Sequence, residues 1–249
     1  MKFVIFFFLS LLTFLLSSCI DGEEEIHINA DGSARMKAMY SLPALIFSDE
    51  DAASLRELIE REIGKEETVD LLTNTVEKVS GKQIITIEVE TADLRNLEKL
   101  LSQVDDGHDS GDGGEEGKEK SDLILRALLG DLTYEREGLA VAANRKIDLA
   151  PLLDKFAGDR WHSMVGDSEF RYTIHFPEAL KSTNAHKLSN DGKSAMWSYK
   201  LADSKNGPFE LDMLVPIPLP WWVFAGLGLV VLLILLGLWK LISMVKKRA

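Results

Sequence analysis

Five histidines, one cysteine and forty acidic residues are the side chains of this 249-residue chain that could do chemistry. The histidines are His27, His108, His162, His175 and His186. None stands in a His-x-x-x-His or His-Glu-x-x-His pattern, the spacings that put two imidazoles on one helix face around a metal. His27 and His175 fall on the outward faces of expected strands, where an ordinary surface histidine is the default. Ser163 stands in Trp161-His162-Ser163-Met164-Val165-Gly166, which is neither Gly-x-Ser-x-Gly nor Ser-x-x-Lys, so no serine nucleophile is marked. No phosphate-cradling glycine loop follows an expected strand. Residues 105–120 hold seven acidic residues, two lysines and five glycines. In neither register of that stretch do Gly at position 6 and Glu at position 12 of a calcium loop fall together. With no apolar side chain to bury, it reads as a flexible acidic loop inside one domain. The expectation is a protein without catalytic, cofactor-binding or metal-ligating residues, and the acidic balance argues against nucleic acid as partner.

Cys19 is the exception. It is the only cysteine, so no internal disulfide can form. Lys2 precedes an apolar run from Phe3 to Leu16, of signal-peptide rather than membrane-spanning length. Leu16, Ser17, Ser18 and Cys19 then resemble the lipobox of bacterial lipoproteins. In that class the cysteine sulfur is diacylated and the preceding segment removed, here residues 1–18. Polar Asp21, Gly22, Glu23, Glu24 and Glu25 follow at once.

The other end is also apolar. No charge occurs from Pro220 to Trp239, and apolar residues resume after Lys240 up to Val245. About 20 helical residues cross a hydrocarbon core, so 219–245 is expected to span a membrane. Trp221, Trp222 and Trp239 suit the two interfaces, and Lys246, Lys247 and Arg248 place the tail 246–249 in the cytoplasm. The part between, 19–218, is then extracytoplasmic, and Pro216, Pro218 and Pro220 stiffen its connection to the span. Five of the 28 basic residues lie in the two ends and none of the 40 acidic ones does, so the middle carries about −17 of formal charge against −12 for the whole.

The elements of the middle follow from period and turn chemistry. Ile26 and Ile28, an Asp31-Gly32 turn, and Ala34, Met36, Ala38 and Tyr40 make a hairpin. Ser48 and Asp51 form a capping box before a helix with Leu55, Leu58, Ile59 and Ile63 on one face and Gly64 as its stop. A second hairpin runs from Val69 to Val89, and Thr91 can cap a helix bearing Leu94, Leu97, Leu101 and Val104. A third turns at Glu137-Gly138, before a short helix from Pro151 to Phe156. Phe170, Tyr172, Ile174 and Phe176 alternate with polar residues in a half-buried strand, and Trp197, Tyr199 and Leu201 mark another after Asn190-Asp191-Gly192. The last strand covers Phe209 to Val215. The fold class is α+β: an antiparallel sheet of hairpins with packed helices, plus one C-terminal transmembrane helix.

Cys19, the hairpin on Ile26 to Ala34, a second strand ending near Pro43, the α+β region and the terminal span resemble the LppM-type bacterial lipoproteins. That resemblance implies an envelope lipoprotein with a lipid- or partner-binding role and carries over no catalytic residue. The sequence thus favours a non-enzymatic protein of the bacterial inner membrane, single-pass, with a protein or lipid partner. An envelope hydrolase with a nonstandard site, or an assembly and quality-control factor for membrane proteins, are the alternatives.

Overall fold

The computed structural model describes residues 20–44, 47–65, 67–94, 123–124, 127, 130–158, 166–217 and 228–229. Each hairpin follows its turn chemistry. Strand β1 (Asp21–Ile28) returns as β2 (Ala34–Pro43) through a turn in which Gly32 takes a positive φ and the Ser33 amide donates to Asp31 Oδ1 at 3.0 Å. Helix α1 (Asp49–Ile63) begins on the expected capping box. The Asp51 amide donates to Ser48 Oγ at 3.1 Å, and the Ser48 amide donates to Asp51 Oδ2 at 3.0 Å. Its Leu55, Leu58, Ile59 and Ile63 are buried as the helical period requires. It stops at Gly64, which keeps right-handed helical angles.

Strands β3 (Val69–Val79) and β4 (Lys82–Thr91) form the second hairpin. Thr91 Oγ1 accepts from the Asp93 amide at 3.2 Å, and Leu94 is helical. Leu97, Leu101 and Val104, expected on that helix, lie outside the described residues. The third hairpin, β5 (Asp131–Glu137) and β6 (Ala140–Ile147), leads into α2 (Ala150–Ala157) with Pro151 in its first turn. Its buried positions are Ala140, Arg145 and Ile147, while Leu139 sits in the turn, 56% exposed. Strands β7 (Glu169–His175), β8 (Ser182–Thr183), β9 (Lys187–Leu188), β10 (Ser194–Lys200) and β11 (Phe209–Pro216) complete the order, with a 3-10 segment Leu201–Asn206 before β11.

The hairpins do not join one sheet. Seven strands run in the order β3-β4-β2-β1-β7-β10-β9, and four in the order β5-β6-β11-β8. Every pairing is antiparallel but one: β1 and β7 are parallel, with Gly22 opposite Phe170, Ile26 opposite Ile174 and His27 opposite His175. The sheets are thus antiparallel and built from hairpins, as expected, with one parallel pair that the pattern does not mark. Alternation fixes which face a side chain takes but not which distant strand lies alongside.

A single core collects the inward faces of both sheets and α1, including Tyr40, Leu55, Ile85, Ile147, Phe170, Tyr172, Trp197, Phe209 and Leu211. Trp197 is fully buried, and its indole donates to Asn184 Oδ1 at 2.6 Å, so its one polar atom is satisfied. Gly22 has a steric reason. A Cβ there would stand 2.5 Å from the Phe170 ring and 3.1 Å from that of Tyr40.

The chain divides into two units, Met1–Pro216 and Ile217–Ala249. Among the described residues no helix is long and apolar enough to cross a membrane. Of the 219–245 segment only Gly228 and Leu229, both helical, are described.

Candidate functional site

Consecutive residues of a strand face opposite ways. In β1 this separates Glu24 from Glu25, and each collects its own partners.

Glu24 points inward and is 1% exposed. Arg145 of β6, in the other sheet, donates from Nη1 to Glu24 Oε2 at 2.6 Å and from Nη2 to Oε1 at 3.2 Å. Tyr40 donates its hydroxyl to the same carboxylate, and the guanidinium lies 5.5 Å from the Tyr172 ring centroid. Burial alone would lower the Arg145 pKa, but the carboxylate beside it holds the guanidinium more firmly charged than usual. Burial pushes both tyrosines up, and the charge of Glu24 adds to it, so the hydroxyls stay protonated. The network joins the sheets and is closed by protein on all sides, so it positions structure rather than meeting a ligand.

Glu25 points outward. His27 and His175, paired across the parallel β1–β7 ladder, stack with centroids 4.2 Å apart and planes 9° from parallel. Both Nε2 atoms lie 3.0 Å from Glu25 Oε1. His175 Nδ1 lies 2.8 Å from Ser194 Oγ on β10. Burial pushes the Glu25 carboxyl up, and the hydrogen bonds from His175 and His27 more than offset it, leaving it below the ordinary value. Two Asp-Gly turns frame this end of the sheet: Asp31-Gly32 after β1, and Asp191-Gly192 before β10, where the Lys193 amide donates to Asp191 Oδ1 at 3.1 Å.

The line Ser194–His175–Glu25 has the composition of a serine-hydrolase relay. Its setting differs from one. The Ser194 amide donates to Ser189 Oγ at 2.8 Å, and Ala195 is paired with Ile174 on one side and Leu188 on the other. A tetrahedral intermediate needs free N–H donors aimed at its oxyanion, and these two positions sit in turn and ladder.

A shallow cleft of about 700 Å³ lies against the four-stranded sheet, lined by Tyr134, Glu135, Asn144, Asn184, Asp212 and Leu214 among others. Asp212 is held by Asn184 Nδ2 at 3.2 Å, and Asn144 donates to its other oxygen.

The sequence-marked positions fare differently. Cys19, Trp221, Trp222, Trp239, Lys246, Lys247 and Arg248 lie outside the described residues, as do His108, His162, Ser163 and the 105–120 stretch. His27 and His175 take the outward faces expected of them, but they are brought together. His186 Nδ1 accepts from the Ser198 amide at 2.9 Å and its ring meets Tyr199 edge-on, a structural role. The Glu25–His27–His175 group escaped the sequence reading because its halves are 148 residues apart in chain. The parallel pairing that aligns them has no local signature.

Among solved structures, the folded domain of LppM from Mycobacterium tuberculosis, determined by NMR, is similar to this chain, with 15% identity, a TM-score of 0.46 and coverage of 81% of this chain and 91% of that one. No protein-family model matches the chain. The comparison with curated proteins gives no match.

Proposed function

We propose that this is a doubly anchored, non-enzymatic protein of the bacterial cell envelope. Cys19 would carry the acyl anchor and 219–245 would span the inner membrane. The α+β unit would sit outside, binding a protein or lipid partner at the membrane surface.

The observation that carries the reading is the placement of Ile20. Ile20, the residue after Cys19, is already part of the fold: it is 8% exposed, and its amide donates to Ser168 Oγ at 2.9 Å. Strand β1 starts at the next residue. An acylated Cys19 would leave no tether, so the unit would rest against the headgroups instead of ranging away from them. Two anchors on one chain make such attachment effectively permanent. The last strand ends at Pro216, close before the apolar block, so the C-terminal attachment is short as well.

A photo-crosslinking residue at Tyr134, in the cleft, tests the partner in intact cells. The reading expects a discrete protein or lipid adduct there and none at Val79, an exposed position on β3. Adducts at neither position in a correctly localised protein would overturn it.

One observation favours the hydrolase alternative, the Ser194–His175–Glu25 line. A fluorophosphonate label on Ser194, lost in Ser194→Ala, would establish it. We favour binding because the neighbouring amides are committed elsewhere.

A further inference from the structure

The outward face of the seven-stranded sheet is mostly ion-paired. Arg35 meets Glu88 at 2.7 Å, Arg171 lies between Glu23 and Glu169 at 3.8 and 3.5 Å, and Lys82 reaches Asp21 at 3.6 Å. These are the surface pairs any strand face collects. At one end of the face the pattern changes, and two imidazoles and a carboxylate converge with all ligand atoms within 4.8 Å of one another.

We infer that Glu25, His27 and His175 form a binding site for a divalent transition cation, zinc in the first instance, with Ser194 orienting one ligand.

Four features carry this. The first is spacing. Ligand bonds to zinc of about 2.0–2.1 Å in tetrahedral geometry put neighbouring donor atoms about 3.4 Å apart. Glu25 Oε1 is 3.0 Å from each Nε2 and all three ligand atoms lie within 4.8 Å of one another, so an ion requires partly exposed side chains to spread and turn but no movement of backbone. The second is alignment. Backbone register sets His27 directly opposite His175 and turns the same nitrogen of each to the carboxylate; the rings stack with planes 9° apart, so an ion must turn one ring until both Nε2 lone pairs converge on it. The register places both donors on paired strands rather than on a loop.

The third is the shell behind the ligands. Without metal, His175 Nε2–H can donate to Glu25 while Nδ1 accepts from the Ser194 hydroxyl. With metal on Nε2, the proton moves to Nδ1 and donates to Ser194 Oγ, 2.8 Å away. Metal-bound histidines nearly always have such a partner, which fixes tautomer and ring angle. The fourth is donor chemistry. Two imidazoles with one carboxylate suit zinc, copper and nickel, whereas calcium and magnesium require oxygen shells. Three protein ligands leave a fourth position open towards solvent.

The charges around the group are mixed. Arg35 stands opposite His27 but is engaged by Glu88, and Lys37 stands opposite Glu25. On the other side Thr173 of β7 and Met196 of β10 continue the row from Glu25 without charge. Lys37 weakens the site electrostatically without blocking it, which points to affinity in the micromolar range rather than tighter. A cation here would clip the first strand after Cys19 to a strand near the far end of the fold. It would bind the folded state alone and so stabilise it.

The test is calorimetric titration of ZnCl2 into the full chain, purified in detergent and stripped with chelator. One zinc per chain with a micromolar Kd is expected, together with a rise in unfolding temperature. His27→Ala and His175→Ala should each weaken binding by more than about 100-fold, and Ser194→Ala by about 10-fold, as loss of an outer-shell partner does. His108→Ala, His162→Ala and His186→Ala should change nothing. His27 is half exposed, so His27→Ala keeps the proposal testable if His175→Ala fails to fold. Cobalt(II) in place of zinc should give the visible absorption of a low-coordinate nitrogen–oxygen site, lost in His27→Ala. No saturable binding would overturn the proposal, as would binding that survives both His27→Ala and His175→Ala or that follows His108 in the acidic stretch.

Discussion

Glu24 and Glu25 are neighbours of one residue type on one strand, and the fold makes opposite uses of them. Glu24 faces the core, where its charge is tolerable only because Arg145 binds both oxygens and Tyr40 donates a third hydrogen bond. Glu25 faces solvent, where His27 and His175 share one of its oxygens. The inner glutamate ties the two sheets into one core. The outer one keeps partly exposed partners on its own sheet. A half-turn of the backbone thus separates structural charge from chemically available charge.

The contrast predicts very unequal costs. Arg145→Ala leaves Glu24 buried without its counter-charge and should destabilise the protein by about 3–5 kcal/mol. Urea unfolding of the full chain in detergent measures it; a loss below about 1 kcal/mol would dissolve the distinction. Gly22→Ala drives a Cβ into the Phe170 ring beside the same network and should cost about 1–3 kcal/mol. Ser48→Ala breaks the capping box of α1, far from either glutamate, for about 1 kcal/mol.

Glu25→Gln should move stability at neutral pH by less than about 0.5 kcal/mol, as surface substitutions do. Its signature is in pH. The Glu25 carboxyl is lower in the folded state than its ordinary value of 4.5. Its contribution is therefore present above that value and is lost as pH falls through the depressed folded value. Unfolding midpoints taken between pH 6 and 3 should fall slightly less steeply in Glu25→Gln than in the unaltered protein. Identical slopes would show that the outer hydrogen bonds carry no weight.

Much of the fold was legible because its rules are local. Asp31-Gly32 and Asp191-Gly192 announce turns through φ and Asx chemistry, Ser48 and Asp51 announce a cap, and the alternation from Phe170 to Phe176 announces a buried face. What was not legible depends on distance. Nothing near Glu24 says that an arginine 121 residues away will meet it. Nothing near His27 says that His175 will lie beside it, because a parallel pair carries no turn. The third hairpin looks like the first two yet joins another sheet, since its pattern supplies a face without choosing a neighbour. That hairpin turns one residue later than its Glu137-Gly138 signal, on Gly138 and Leu139, with Glu137 still paired to Ala140. The candidate site falls wholly in this second class, which is why its two histidines passed for ordinary surface residues.

Ile20 is buried and bonded to Ser168, so an acyl group on Cys19, as proposed, would join the core without a tether. Mass spectrometry of the N-terminal peptide, taken from protein extracted from bacterial membranes, tests it most directly. The account predicts a peptide that starts at Cys19 and carries a diacylglyceryl group on its sulfur. An unmodified Cys19 within a peptide that retains residues upstream of it, or a mature end placed after Ile20, would contradict it.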